Sequence, residues 1–294
     1  MTAKRVRGKK ALLTALHTVI LLILAALAIG PFLWLLSTAL RSGDETIFGA
    51  VSLLPKRPTL ENFAEVWRRA DMGAFLINSL VISALTVVMN LTLSVLCAYP
   101  LARMRFAGRS MVFAAVLATM MIPFQVMMIP LYLLTLKLGL SDSAPLWPGL
   151  SDHRLQTWLG LSAPFAISGF GIFFVRQALA SLPRDLEESA ALDGCNSWQT
   201  LRLVLLPMIR PALATLAVFC FMASWGEFLW PSILVSKQAS FTLPVGLAYL
   251  QGAFSANWRL IAAGAVLSML PVLGLFALTQ RAFVSGANAG AVKG

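Results

Sequence analysis

A few polar and aromatic side chains lie inside long apolar runs of this sequence, where they could contact a solute. Asn90 and Gln125 carry amides that both donate and accept hydrogen bonds, which suits an uncharged polyol. Trp225 and Trp230 offer faces on which a ring could stack, and Glu227 between them could accept a hydrogen bond from a hydroxyl. We predict that these five residues line a substrate path. The alternative for the two tryptophans and Glu227 is the aromatic belt at a membrane surface.

Asn90 also belongs to a stripe of small and polar residues spaced three or four apart, which places them on one face of a helix. The stripe consists of Ser79, Ser83, Thr86, Asn90, Ser94 and Cys97. Such residues pack membrane helices together more often than they line a pore. We single out Asn90 because its amide needs a partner in mid-membrane, and we expect Asn90→Leu to impair transport more than assembly.

The sequence lacks the residue patterns of common catalytic and metal sites. It contains no G-x-x-x-x-G-K-[ST] phosphate loop, so we do not expect this chain to hydrolyse ATP alone. Its three cysteines are scattered, and neither His17 nor His153 has partners at metal-ligand spacing. A proton-driven carrier usually has several ionisable residues inside the membrane. Glu227 is the one ionisable residue well inside a predicted span, so the sequence gives little support for such a carrier.

The composition is that of an integral membrane protein. Of its 294 residues, 59% are hydrophobic and 12% are charged, against about 25% charged in a typical soluble domain. A helix needs about 20 mostly apolar residues to cross the hydrocarbon core. Six stretches qualify, namely 12–36, 75–99, 110–136, 156–175, 208–235 and 260–280. We therefore predict an all-α polytopic protein in which residues 1–294 form a single transmembrane domain.

The distribution of basic residues predicts the orientation. Of the 23 Lys and Arg, 14 fall in the N-terminus, the 100–109 loop, the 176–210 segment and the C-terminus, which we assign to the cytoplasm. The net charge of +11 therefore indicates basic cytoplasmic loops rather than nucleic acid binding. Cleavage of a signal peptide after Ala28 is the alternative for the N-terminus. The apolar run continues to Leu36, which favours an uncleaved anchor.

The segment 181–207, which we call the 181–207 loop, is too polar to span a membrane. Pro183 suits the first turn of a helix, and the acidic residues after it lie near the positive end of the helix dipole. Gly194 suits a left-handed cap, and Ser197 could cap a second helix over 198–206. One side of that helix carries Trp198, Leu201 and Leu205. The pair could dock a soluble partner or lie on lipid headgroups, although its acidic start fits anionic headgroups poorly.

The same loop carries the most specific pattern in the chain. It contains Glu187-Glu188-Ser189-Ala190-Ala191-Leu192-Asp193-Gly194, followed after nine residues by Val204-Leu205-Leu206-Pro207. This pattern resembles the E-A-A-x-x-x-G-x9-I-x-L-P loop of ATP-binding-cassette (ABC) importer permeases. The E, A, A and G places are taken by Glu188, Ser189, Ala190 and Gly194, so a serine replaces the first alanine.

Further segments are similar to the carbohydrate-uptake, maltose-permease-like branch of that family. They are 78–80, 121–125, 129–132, 173–177, 225–231, 280–286 and 289–294. The resemblance covers most of the chain, from about residue 12 to the end. The loop 140–160 departs from the family pattern because it is longer than we expect.

The resemblance implies the fold and role of a type I importer permease in a prokaryotic inner membrane. Two such chains, which we expect to differ, would form the pathway. Two ABC ATPase subunits would bind ATP-Mg, an extracytoplasmic binding protein would deliver the sugar, and this chain would bind lipid but no cofactor, metal or nucleic acid. The residues implied in ATPase coupling are Glu187, Glu188, Ser189, Ala190, Asp193, Gly194, Leu206 and Pro207.

Two alternatives remain open. The same architecture could import glycerol phosphate or another small solute, or the chain could be a self-sufficient secondary carrier. An anionic substrate would call for Lys or Arg in the pathway, and no basic residue lies in the middle of a predicted span, which favours a neutral sugar. A secondary carrier would need coupling acids, which the sequence does not supply.

Overall fold

The structure is a computed structural model that describes residues 2–47, 54–143, 154–253 and 257–291. Within these residues every regular element is helical, as the sequence predicts, and α14 (Trp258–Ala291) is the last of them. They fall into two compact units, the first formed by residues 1–70 and 249–269 and the second by 71–248 and 270–294. The unusual part of the 140–160 loop lies largely outside the described residues.

The first unit contains α1 (Thr2–Ala39) and the short amphipathic helix α2 (Glu61–Arg69). The amide of Asn62, buried in α2, donates to the carbonyls of Ala39 and Arg41 at 2.8 Å each. Nearby, the N–H groups of Arg57 and Lys56 donate to the Glu45 carboxylate, and they hold its pKa below the usual value. Backbone and side-chain hydrogen bonds thus fold the segment that follows α1.

Three helices are long and apolar enough to cross a membrane alone: Leu13–Ala39, Met72–Arg103 and Trp258–Thr279. They correspond to the first, second and sixth predicted spans. The other three predicted spans each overlap two helices that bend sharply at a short break, and each bent pair could form one span. The bent pairs are Arg109–Thr119 with Phe124–Lys137 (94°), Arg154–Phe165 with Gly169–Ala180 (62°), and Ser197–Met208 with Arg210–Trp225 (78°).

Proline residues lie at two of these bends. Helix α4 (Arg109–Thr119) and helix α5 (Phe124–Lys137) are separated at Pro123, which has no N–H to continue the ladder. The break between α6 (Arg154–Ser162) and α7 (Gly169–Ala180) contains Pro164.

The predicted span 208–235 is also interrupted at its far end. Helix α11 (Arg210–Trp225) stops there, and α12 (Leu229–Leu234) follows after Gly226. Helix α13 (Leu243–Ala253) comes next in the chain.

Helix α3 (Met72–Arg103) lies at the centre of the second unit, where it packs against α6, α7 and α11. Near its start, the Trp158 indole donates to Asn78 Oδ1 at 3.0 Å, and at its end Arg103 donates to the Leu179 carbonyl at 2.7 Å. The helices approach closely at Gly171, where a Cβ atom would collide with Ser94 and Asn90. A glycine at this crossing therefore permits the contact between α3 and α7.

Candidate functional site: the 181–207 loop and the interior of α3

The first helix of the 181–207 loop is α8 (Asp185–Leu192). It begins after Pro183 rather than at it, so the prediction that Pro183 lies in the first turn is wrong by two residues. Gly194 adopts a left-handed conformation with φ of +81°, its N–H donates to Ala191, and the N–H of Cys195 donates to Ala190. These two bonds form the Schellman motif that a helix ending at a glycine favours, as the sequence predicts.

The second helix runs from Ser197 to Met208, two residues beyond the predicted end. It consists of α9 (Ser197–Gln199), a π-helical stretch (Thr200–Leu205) and α10 (Leu206–Met208). Asn196, not Ser197, caps it. The Asn196 side chain accepts from the Gln199 N–H at 2.9 Å, and the Gln199 side chain accepts from the Asn196 N–H at 2.8 Å. Sequence analysis missed this reciprocal capping box because the adjacent Ser197 is an equally favourable N-cap residue.

The turn between the two helices forms an exposed tip, which we define as residues 188–189 and 191–199. Glu188, Ser189, Asp193 and Gly194 are exposed there, as coupling residues would need to be. Ala190 is buried, and Leu206 and Pro207 are half-buried at the opposite end of the loop.

Two apolar residues of the tip were missed as candidate contacts. Leu192 is 90% exposed and Trp198 is 57% exposed. Trp198 lies in the exposed first turn of the second helix, whereas Leu201 and Leu205, which the sequence places along the same side, are buried against α3 and α7. The sequence does contain a signal for Leu192: a large apolar residue beside an acid and a glycine, in a polar loop, would have indicated an exposed contact residue.

The base of the loop is attached to the ends of α3 and α7. The side chain of Arg103 is only 5% exposed, and its Nε lies 2.8 Å from Oε1 of Glu187. Its Nη2 donates to the carbonyls of Leu179 and Leu182 at 2.7 and 2.9 Å. Glu187 therefore faces inward, whereas the neighbouring Glu188 faces outward.

Five of the six residues of the polar stripe of α3 are buried and Cys97 is half-buried, and the hydrogen-bonding groups of Asn90 are engaged inside the chain. Its amide nitrogen donates to the Phe165 carbonyl at 3.0 Å and to the Ser168 hydroxyl at 3.1 Å. Its oxygen accepts from Ser94 and from the Cys220 thiol at 3.3 and 3.4 Å. This geometry corresponds to the packing alternative for the stripe, and in this conformation it leaves Asn90 no free group for a polyol.

Trp230 is also engaged within the chain. It is fully buried, and its indole N–H donates to the Gly160 carbonyl at 3.1 Å. Its ring meets Phe124 edge-on, with ring centroids 6.1 Å apart. A ring that is enclosed in this way cannot stack on a sugar in this conformation.

The remaining candidates for a substrate path have different surroundings. Glu227 is half-buried. Its carboxylate accepts a hydrogen bond from the backbone N–H of Trp230 at 3.1 Å, and this bond caps the start of α12. Trp225 is buried and stacks on Phe221, with ring centroids 5.5 Å apart. Gln125 is exposed in the first turn of α5. Their role in substrate binding stays a prediction.

The sequence was compared with models of known protein families. Residues 90–286, more than half of the chain, match the family described as the binding-protein-dependent transport system inner membrane component. The chain belongs to this family. The match extends from the middle of α3 through the 181–207 loop and into α14 of this permease.

Relatives cover nearly the whole permease. It is 32% identical over 291 residues, 98% of this chain and 99% of the other, to the arabinooligosaccharides transport system permease protein AraQ of Halalkalibacterium halodurans. It is 30% identical over 266 residues, 90% of this chain and 88% of the other, to the sulfoquinovosyl glycerol transport system permease protein SmoH of Agrobacterium fabrum.

Its fold is similar to that of a chain in the crystal structure of a bacterial ABC transporter involved in the import of the acidic polysaccharide alginate. The TM-score is 0.77 at 26% identity, over 93% of this permease and 97% of that chain. The fold of this permease is therefore shared with a chain of an ABC importer whose structure is known from experiment.

Proposed function

We propose that this chain is the permease subunit of an ABC importer that carries a sugar across the inner membrane, and that it forms half of the translocation pathway. The observation that carries the proposal is the exposed tip of the 181–207 loop, which lies within the matched family region. The chain is not an enzyme in this scheme, and a separate ATPase subunit binds and hydrolyses ATP-Mg.

The tip is the surface that we assign to the ATPase. It combines exposed carboxylates, at Glu188 and Asp193, with the exposed apolar side chains of Leu192 and Trp198. Apolar anchors surrounded by polar groups are typical of protein–protein interfaces. Headgroups of anionic lipid would instead meet the acidic start of α8, and this charge supports a protein partner.

The same assignment orients the chain. If the 181–207 loop faces the cytoplasm, then the ends of α3 and α7 near Arg103 are cytoplasmic, and the end of α3 near Asn78 is on the outer side. An odd number of crossings then separates that outer side from each terminus, so both termini lie in the cytoplasm. A second permease chain, different from this one, completes the pathway.

The sugar itself is assigned only by class. Relatives are named for arabinooligosaccharides and for sulfoquinovosyl glycerol, one neutral and one anionic, so the architecture accepts chemically different solutes. The absence of Lys and Arg from the middle of the predicted spans favours a neutral sugar here. The family description supports an extracytoplasmic binding protein as the subunit that delivers the sugar.

A tagged pull-down from gently solubilised native membranes tests the proposal. We expect mass spectrometry to find an ATPase with a phosphate loop and a second polytopic chain. A chain that is recovered alone, and that transports solute in liposomes without ATP, would instead be a secondary carrier. Uptake assays on the recovered complex with arabinotriose and with glycerol phosphate then distinguish a sugar importer from an importer of small anionic solutes.

A further inference from the structure

We propose that Arg103 is a positioning residue that clamps the 181–207 loop to α3, so that the loop and α3 move as one body when ATP drives the transporter. The proposal rests on the proposed function, since it assumes that an ATPase binds the tip. It adds a specific mechanical link between the tip and the span that carries the polar stripe.

The geometry of Arg103 joins three segments of the chain through one guanidinium group. Arg103 is the last residue of α3. Its Nε lies 2.8 Å from the Glu187 carboxylate in the first turn of α8, and its Nη2 donates to carbonyls at 179 and 182, at the end of α7 and just beyond it. A planar guanidinium with contacts in several directions fixes the relative position of the groups it holds.

Tyr99 of α3 also contacts the loop, through a side-chain hydrogen bond with Ser197 at the start of the second helix, and the packing at the base of the loop is apolar. Leu201 and Leu205 are buried in an apolar cluster with Ala98 and Leu101 of α3, and apolar packing depends on area rather than on direction. Such a contact keeps the helices together but allows small sliding movements. The ion pair between Arg103 and Glu187 adds a polar link from α3 to α8, the first helix of the loop, which the Tyr99 contact does not reach.

Neighbouring arginines do not share this role. Arg109 donates to carbonyls at 101, 102 and 104, and Arg176 donates to the Leu101 carbonyl, so both act on the end of α3 itself. Arg105 is exposed in the loop after α3. Among the residues that the structure describes, Arg103 is the arginine whose ion pair reaches the 181–207 loop.

The burial of the two partners supports a mechanical role. The Arg103 side chain is 5% exposed and that of Glu187 is 25% exposed, so the pair is shielded from solvent far more than the surface pair of Arg69 and Glu65, where the arginine is 63% exposed. Shielded pairs are screened little by salt and are costly to break on one side. The link should therefore persist while the loop is pushed.

The test measures whether the loop and α3 move together in the assembled complex. One spin label is placed on the loop at Leu203 and one on α3 at Val88, both exposed positions, in a chain whose native cysteines are replaced by alanine. The distance between the labels is measured with and without ATP-Mg and vanadate. No knowledge of the transported sugar is needed.

We expect the distance between the labels to be the same in both states of the parent chain. In Arg103→Met and in Glu187→Gln, addition of ATP-Mg and vanadate should shift or broaden the distance distribution, because the loop then follows the ATPase without α3. Arg103→Lys, which keeps the charge, should restore part of the constraint. Arg105→Gln is the matched control and should behave as the parent.

Three results would overturn the proposal. In the first, the distance changes with ATP-Mg in the parent chain. In the second, it stays constant in both Arg103→Met and Glu187→Gln while the ATPase remains bound. In the third, the ATPase is lost from both variants, which would mean that the pair shapes the tip. If Arg103→Met does not fold, Glu187→Gln decides alone. Failure of the parent chain to bind any ATPase would refute the proposed function itself.

Discussion

The tip of the 181–207 loop and the polar stripe of α3 carry the same kind of sequence signal in opposite surroundings. Both place polar residues in an otherwise apolar chain. In the tip, the side chains of Glu188, Ser189 and Asp193 are exposed to solvent. In the stripe, Asn90 and its neighbours are buried and bonded to one another and to α7. Polar residues indicate a partner outside the chain only where the fold leaves their hydrogen-bonding groups unused.

The aromatic residues of the second unit divide in the same way. Trp198 in the tip is exposed and touches no described aromatic ring, whereas Trp230 is fully buried with its N–H donated to Gly160. Sequence analysis assigned Trp230 to the substrate path and placed Trp198 on one side of the second helix of the loop. The structure encloses Trp230 and exposes Trp198, and a variant described below tests the role of Trp198.

The largest effect is expected from Gly194→Val, because it changes the turn on which the whole tip depends. Gly194 has φ of +81°, and a β-branched residue in this conformation costs about 1–3 kcal/mol, enough to open the turn. We expect ATP-dependent uptake to be lost while the chain remains in the membrane. Uptake in vesicles, together with immunoblotting of the membrane fraction, measures both.

Gly108→Val is the matched control for Gly194→Val. Gly108 has φ of +79°, so the substitution imposes a similar strain, but it lies in the loop between α3 and α4. Uptake should be reduced far less. Equal loss of uptake in both variants would indicate general strain and would remove the special role of the tip.

Asn90→Leu should reduce stability rather than substrate affinity, which reverses the expectation from sequence alone. The substitution removes the donor to the part-buried Phe165 carbonyl and leaves that carbonyl without this partner, at a cost of about 1–3 kcal/mol. The purified chain should lose its monodisperse state at a lower temperature, while the KM of the remaining transport is unchanged. Thr92→Val, on an exposed face of α3, is the control. A raised KM with unchanged thermal stability would return Asn90 to the substrate path.

Local chemistry determined which parts of the fold could be predicted. The glycine turn at 194 was predictable because few residue types adopt a left-handed conformation, and the turn needs nothing from the rest of the chain. The bends at Pro123 and between α6 and α7 were not, because a membrane helix can tolerate proline without breaking. The partners of Asn90 were unpredictable for another reason, since Phe165 and Ser168 are more than 70 residues away.

Trp198→Ala should weaken binding of the ATPase while leaving the chain folded. A tryptophan that becomes buried at an interface commonly contributes about 2 kcal/mol, so we expect at least a roughly tenfold loss of affinity. Titration of purified ATPase onto the chain in nanodiscs measures it, and Leu192→Ser should act in the same direction. Trp67→Ala, on the exposed side of α2, is the control for loss of an exposed tryptophan. Affinity that is unchanged in Trp198→Ala would place the ATPase elsewhere.

Glu188→Gln should have the smallest effect, and comparison with Glu187→Gln separates the two neighbouring carboxylates. Glu188 is exposed, and an ion pair made at such a position contributes about 0.2–1 kcal/mol, so ATPase affinity should fall by less than about tenfold. The difference from the parent chain should disappear at high salt, because exposed charges are screened. Glu187→Gln should leave the affinity unchanged at every salt concentration, since its carboxylate is directed to Arg103 rather than to a partner. If both variants showed the same salt-dependent loss, the two acids would face the same partner, and the division between an exposed tip and a clamped base would not hold.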